Sequence, residues 1–435
     1  MLRVAIREAA PGMRLALPVY HPRRPGTVLL KAGVALDEKL IERLREIELK
    51  EVWINYPGMA FLGRFVSPEM QRARSELSHH ILSAIDVASS GALAELDYTE
   101  YRRAIVQVVE QLLRSPSAAY FVEELCATST PHGRHASSVC FLSLLMGLKL
   151  GDYLVAERSR LPAPHARNVT SLGIGAMLHD VGMLRLPPDA LGRWNRHHDE
   201  SDPEWRSHAK IGFEMIRRSV DPSASAVVLH HHQAFDGSGF PRRRAPGGGS
   251  IVVAGQDIHV FARIVAVADA FDRMCNSADA PGAEKHPQQR RPNVAVLREM
   301  CLGPSAARFD PMVLRALMNC VPAYPPGSVV TLSSGEHAVV CNWRVQDPCR
   351  PRVLPIAEGL AGAVGVGPMA GGGILDAAEE PADTIDLAIT PDLCIAEADG
   401  FDVSTENFLL PTGDAFSVDK AVRAQLNRAE SLKAS

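Results

Sequence analysis

Apolar positions along the chain fall into regimes of different spacing. From residue 1 to about 66, short apolar runs alternate with turn residues: Arg14-Leu15-Ala16-Leu17-Pro18-Val19-Tyr20, a turn at Pro25-Gly26, then Val28-Leu29-Leu30. Runs bounded this way by proline and glycine predict two short strands. Asp37 is placed as the N-cap of a helix in which Leu40, Ile41, Leu44 and Ile47 keep the 3.6-residue period, and Glu51-Val52-Trp53-Ile54 predicts a closing strand. Residues 1–66 thus read as a small α+β regulatory module without a cluster of titratable groups. Over 67–126, Leu77, Ile81, Leu82 and Ile85, then Ile105, Val108, Val109, Leu112 and Leu113, form helical stripes. They predict a helical connector, which could also carry a dimer interface. Residues 127–320 read as helical nearly throughout. After Pro322 the strand pattern returns, with Tyr324-Pro325-Pro326-Gly327 leading into Ser328 to Leu332, and Ala338-Val339-Val340 as its hairpin partner. A small β appendage is expected in 321–435, with a glycine–alanine-rich linker at 361–381 and an exposed polar helix at the end.

Composition narrows the class. Hydrophobic residues make up 46% and charged residues 22% of the 435, as in an ordinary globular chain and unlike a disordered one. A net charge of -4 gives no general attraction to a nucleic-acid polymer or an anionic membrane, so an anionic ligand needs a local site. The apolar run Val139–Leu150 is interrupted by Ser143 and Gly147 and is too short for a membrane span, and the N-terminus lacks the apolar centre of a secretory signal. Both features point to the cytoplasm. The eight cysteines form no C-x-x-C pair, so buried thiols are expected in place of a zinc knuckle.

Histidine is unevenly distributed: twelve of the sixteen lie between His132 and His286. Seven side chains in this segment have the type and setting of metal ligands: His135, His179, Asp180, His208, His231, His232 and Asp269. Imidazole and carboxylate without thiolate suit iron, manganese or zinc and disfavour a closed structural zinc site. Seven ligands are too many for one ion, and an aspartate such as Asp180 can bridge two. Singly, each has a plainer reading. His135 and His208 could cap or face solvent, and His230-His231-His232 could be a solvated run. Asp269 is more telling, because a carboxylate within Ile264-Val265-Ala266-Val267-Ala268 costs several kcal/mol unless it is paired or metal-bound.

Taken in order, His135-Ala136-Ser137-Ser138-Val139, Leu178-His179-Asp180-Val181-Gly182, His208-Ala209-Lys210-Ile211-Gly212, His231-His232 through Asp236-Gly237-Ser238-Gly239-Phe240-Pro241, and Ala262-Arg263-Ile264 to Asp269-Ala270-Phe271-Asp272 closely resemble the HD-GYP family of bacterial phosphodiesterases. The resemblance covers about 127–320, and Phe309-Asp310-Pro311 also fits it. It implies a mainly α protein, with an all-helical HD-type metallophosphohydrolase domain flanked by the small α+β module and the small β appendage. It further implies hydrolysis of cyclic di-GMP to pGpG, and on to GMP, by a metal-bound hydroxide at two divalent ions, iron or manganese. Asp180 is then catalytic, while Arg185, Gly237, Gly239 and Arg263 bind substrate. The implied partners are a cyclic dinucleotide and a homodimer mate or signalling protein.

Several positions depart from the family pattern. Met183 replaces a lysine, a loss of roughly 1.5 to 3 kcal/mol of charge-assisted hydrogen bonding to phosphate unless Arg185 substitutes. Phe240 keeps the ring of the family tyrosine and loses its hydroxyl. The segment from Pro241 to Arg263 is longer than usual and carries Arg242-Arg243-Arg244 and Gly247-Gly248-Gly249, as a solvated loop or a phosphate-grasping flap. After Asp272 the chain runs Cys275-Asn276-Ser277 without an Arg-Pro-Tyr-Arg-like stretch, and Pro131 stands where some members have a glutamate supporting a third metal. Two readings stay open: an active phosphodiesterase, or a degenerate module that binds metal and acts as a cyclic-dinucleotide sensor or interaction domain.

Overall fold

The computed structural model describes residues 1–21, 27–47, 49, 51–65, 68–90, 98–114, 131–245, 247–276, 290–356, 364 and 380–410. Most of the expected linker at 361–381, the terminal polar helix and the segment from Ser277 to Gly282 lie outside the described residues.

In the N-terminal part, the strand Glu51–Ile54 pairs antiparallel with Leu2–Ala5, Leu2 opposite Ile54. Leu2–Ala5 is an addition to the strands expected from sequence. Val19–Tyr20 and Val28–Leu30 form a hairpin. The helix Glu38–Glu46 starts where Asp37 Oδ1 accepts the Leu40 N–H at 2.7 Å, a cap that satisfies one of the unpaired first-turn amides. Its Ile41 and Leu44 are buried.

The helical body is larger than the sequence pattern suggested. Pro131–Lys149, Thr170–Leu178, Pro222–His230 and Val260–Cys275 pack together at its centre. Leu77 and Ile81 of Pro68–Ser90, and Ile105 and Val108 of Tyr98–Arg114, belong to the same apolar core as Val139, Leu172, Val227 and Val265. These two helices are therefore walls of the body and not a spacer between domains. Leu113, expected on the apolar stripe, is exposed. Among the described residues, no single helix is long and apolar enough to cross a membrane.

The C-terminal strands form a six-stranded antiparallel sheet in the order Ile385–Asp386, Arg352–Pro355, His337–Val340, Val329–Leu332, Ile395–Ala398, Phe401–Asp402. Side chains alternate between two cores. Val330, Leu332, Ala338, Val340 and Val353 join the helical body, whereas Val339, Cys341 and Leu354 join the core built on Leu2, Val4, Ile41 and Val52. Successive strand residues face opposite sides, so a strand apolar at every position is buried on both. The expected small C-terminal β region is thus present, and its two faces pack against the helical body and the N-terminal part.

Gly327 marks that joint. Its carbonyl accepts the Arg3 N–H at 3.0 Å, its own N–H donates to Val340 O at 2.8 Å, and at φ +87° a Cβ would sit 2.8 Å from the Trp53 ring. Gly327→Ala is expected to cost roughly 1 to 3 kcal/mol, from left-handed backbone strain and overpacking. The readout is a lower urea midpoint, and an unchanged midpoint would show that the joint tolerates a side chain.

Candidate metal centre

Helix ends deliver three of the histidines. His179 terminates Thr170–Leu178, His231 terminates Pro222–His230, and His208 begins His208–Ile216 just after the single turn Pro203–Arg206. Each Nδ1 lies on the carbonyl three residues earlier: His179 on Ala176 O at 2.7 Å, His208 on Trp205 O at 2.6 Å, His231 on Val228 O at 2.9 Å. A carbonyl only accepts, so Nδ1 carries the proton and Nε2 presents a lone pair. The same bond occupies a carbonyl that the helix end leaves unpaired. Gly182 lets these ends meet, because a Cβ there would overlap His208 O and the Gly212 N–H.

The structure brings all seven expected ligands together, in two adjoining groups. One contains His135, His179 and Asp269; the other Asp180, His208, His231 and His232. Asp180 spans them. Its Oδ1 lies 3.4 Å from His208 Nε2 and 3.5 Å from His231 Nε2, while its Oδ2 lies 3.5 Å from His179 Nε2 and 3.8 Å from His135 Nε2. His135 Nε2 is 3.0 Å from Asp269 Oδ1 and 3.2 Å from His179 Nε2. Asp180 Oδ1 and His232 Nε2 are buried without a hydrogen-bond partner among the described residues. Orphaned acceptors of this kind are costly unless something else binds them, so this donor set fits divalent cations.

Two participants escaped the sequence reading. Asp272 Oδ2 holds His135 Nδ1 at 2.7 Å, a carboxylate behind a ligand imidazole; its signal was the one-turn spacing from Asp269. Arg273 donates through Nε to Asp269 Oδ1 at 2.6 Å and through Nη2 to Asp180 Oδ2 at 3.3 Å. Its guanidinium lies 5.2 Å from the Trp194 ring centre and 5.7 Å from that of Trp205. Burial would raise the Asp180 and Asp269 carboxyls, but the surrounding imidazoles and Arg273 hold both well below the usual carboxylate range. Burial pulls His179 down to about 3 and His208 to about 4. At His135 burial also pulls downward, but bonds to Asp269 and Asp272 outweigh it and raise the imidazole to about 10.

An apolar wall closes one side. Met183, Leu186 and Trp205 are buried together, with Trp194, Leu191, Ile211 and Phe240 packed on them. Phe240 stacks on His232 at 4.7 Å between ring centres, consistent with a packing role for the ring. The residues expected at the substrate are engaged elsewhere. Arg185 donates to Ala88 O at 3.2 Å, and Arg263 is buried against Glu157, Asp310, Tyr153 and the Ile258 carbonyl. Gly237, at φ +83°, and Gly239, pressed on the His232–Ala234 backbone, shape the loop after the histidines. The longer segment folds into a small hairpin, Arg243–Arg244 against Ser250–Ile251, with Arg242, Arg243 and Arg244 exposed.

The HD-domain family model matches residues 134–310. A cyclic di-GMP phosphodiesterase of Pseudomonas aeruginosa is 26% identical over 354 residues, which is 74% of this chain and 77% of that protein. The cyclic di-GMP phosphodiesterase response regulator RpfG of Xanthomonas campestris is 30% identical over 28% of this chain and 30% of its own length. A 3'3'-cGAMP-specific phosphodiesterase of Vibrio cholerae is 27% identical over 33% of this chain and 24% of its own length. The last two matches are thus confined to part of each protein. Among solved structures, an HDG"Y"P protein from Bdellovibrio bacteriovorus aligns with 73% of this chain and 97% of its own at 13% identity, with a TM-score of 0.39.

Neutral buried imidazoles make the metal-free chain acid-sensitive. Unfolded, His179 and His208 titrate at 6.5; folded, at about 3 and about 4. Below the unfolded value the unfolded state binds more protons, so stability falls as pH drops toward 4, by roughly 1.4 kcal/mol per pH unit for each such imidazole. His135 acts at the other end: its contribution is complete below 6.5 and is lost as pH rises through about 10. Urea midpoints of chelator-treated protein between pH 7 and 4 test the acid limb, and a flat midpoint contradicts it. Asp272→Ala is expected to weaken metal affinity about 10- to 100-fold, measured by competition with a chromophoric chelator.

Proposed function

We propose that this chain, whose residues 134–310 match the HD-domain family model, is an HD-GYP-type metal-dependent phosphodiesterase that hydrolyses cyclic di-GMP to pGpG and, further, to GMP. The observation that carries the reading is the convergence of His135, His179, Asp180, His208, His231, His232 and Asp269 into two ligand groups that share one carboxylate. The relatives named cyclic di-GMP phosphodiesterases support the substrate class. Two divalent ions, iron or manganese, suit an imidazole and carboxylate set without thiolate. When bound, such ions supply a water that ionises near neutral pH and neutralise charge on the phosphodiester.

The chain's own groups do the positioning. The Nδ1 bonds of His179, His208 and His231 hold their Nε2 lone pairs inward, and Asp272 fixes the direction of the His135 ring. Asp180 offers one oxygen to each half, so it would be the carboxylate shared by two bound ions. The wall of Met183, Trp205 and Phe240 keeps water away from His208 and His232, which strengthens every charge interaction in the pocket. With Arg185 and Arg263 bonded elsewhere, Arg273 is, among the described residues, the guanidinium that touches the centre.

The test is turnover by protein purified anaerobically and loaded with iron or manganese, with cyclic di-GMP and 3'3'-cGAMP as separate substrates beside an Asp180→Ala control. Linear pGpG should form from cyclic di-GMP faster than linear product forms from 3'3'-cGAMP, and Asp180→Ala should fall to the uncatalysed background. Metal bound without turnover above that control would overturn the enzyme reading.

A further inference from the structure

Arg273 sits where a metal ligand's counter-charge is already needed. Its Nε lies on Asp269 Oδ1 at 2.6 Å and its Nη2 on Asp180 Oδ2 at 3.3 Å. Those two oxygens are the ones that face His135 and His179: Asp269 Oδ1 at 3.0 and 3.9 Å, Asp180 Oδ2 at 3.8 and 3.5 Å. A guanidinium and an ion held by His135, His179 and Asp269 therefore draw on the same oxygens. The other half differs. Among the described residues, Asp180 Oδ1, facing His208 and His231, has no hydrogen-bond partner, and neither has His232 Nε2. Arg273 is also fixed in place, since it lies one helical turn beyond Asp269 and close to the rings of Trp194 and Trp205.

We propose that Arg273 is a built-in counter-ion occupying the His135–His179–Asp269 half of the centre, and that it grades the two halves in metal affinity. The inference rests on the reading of this cluster as a metal centre. A fixed positive charge on the carboxylate oxygens of one half repels a divalent ion there and competes with it for lone pairs, in surroundings too dry to screen the charge. The half made by Asp180 Oδ1, His208, His231 and His232 lies farther from that charge, with no Arg273 hydrogen bond on its carboxylate oxygen among the described residues, and fills first. In the metal-free chain the same guanidinium compensates Asp180 and Asp269, which would otherwise be buried carboxylates with less cationic support.

Manganese(II) titration of the metal-free full-length chain, with free ion counted by its electron paramagnetic resonance signal, tests this without reference to activity. The expected wild-type result is two classes of one site each, with dissociation constants at least tenfold apart. His208→Ala should remove the tight class and His135→Ala the weak one. Arg273→Met removes the charge but keeps an apolar stem beside the tryptophans; it should tighten the weak class at least tenfold and lower the melting temperature of the metal-free chain. Arg273→Gln, a second uncharged variant, should tighten the weak class too, whereas Arg273→Lys should leave the classes separate. Equal constants in the wild type, or separate classes that persist unchanged in a folded uncharged variant, overturn the proposal. No manganese bound to the wild type at all would instead overturn the metal-centre reading beneath it.

Discussion

The centre depends on a hydrogen bond made three times: an imidazole Nδ1–H donated to the carbonyl three residues earlier, at Ala176, Trp205 and Val228. Each bond is worth only about 1 kcal/mol net, so its importance is geometric. It fixes the ring's tautomer and direction, and because two of the carbonyls belong to helix ends and the third to a single turn, the ligand's aim is set by where that helical segment stops. Convergence of Nε2 atoms thus becomes a matter of packing the segments against each other. Gly182 permits the closest such approach, with the turn after Asp180 lying on the backbone of His208 and Gly212.

This explains what could be read from sequence. The ligand residues were legible because each sits at a recognisable break: a His-Asp pair closing an apolar helix, a histidine run before a glycine-rich turn, an aspartate in an otherwise apolar helix. Their grouping followed from order and spacing. Arg273 was not legible, since nothing near it in sequence distinguishes it from a solvated helix-end cation. Its role is created by Trp194 and Trp205, which come from separate helices. Arg185 and Arg263 show the converse, as cations adjacent to motif residues whose nearest carbonyls and carboxylates lie elsewhere in the core.

The C-terminal sheet was legible as strands, whereas its two-sided burial takes a closer look at the pattern. Its hairpin was visible, but the run Ala338-Val339-Val340-Cys341 is apolar at consecutive positions and not at alternate ones. That is the pattern of a strand covered on both faces. One face completes the helical body and the other completes the N-terminal core. An appendage with a solvated face would have placed polar side chains at 339 or 341. The two largest cores among the described residues therefore meet at one layer, whose Val339, Cys341 and Leu354 add to the N-terminal core.

The replacement at 183 and the cation at 273 are connected through the same wall. A lysine at 183 would have to hold its ammonium among Leu186, Trp205 and Phe240, or run its stem past them, and an unpaired charge in such a cluster costs several kcal/mol. With methionine there the wall stays apolar, His208 and His232 stay dry, and their imidazoles stay neutral. Asp180 and Asp269 still need positive charge beside them. It arrives from the helix that already carries Asp269, as a guanidinium that keeps its charge at any working pH and lies against the stacked Trp194–Trp205 pair, whose ring centres are 4.1 Å apart. An arginine in that position serves the carboxylates and the aromatic wall together, which a lysine reaching out of the wall would not.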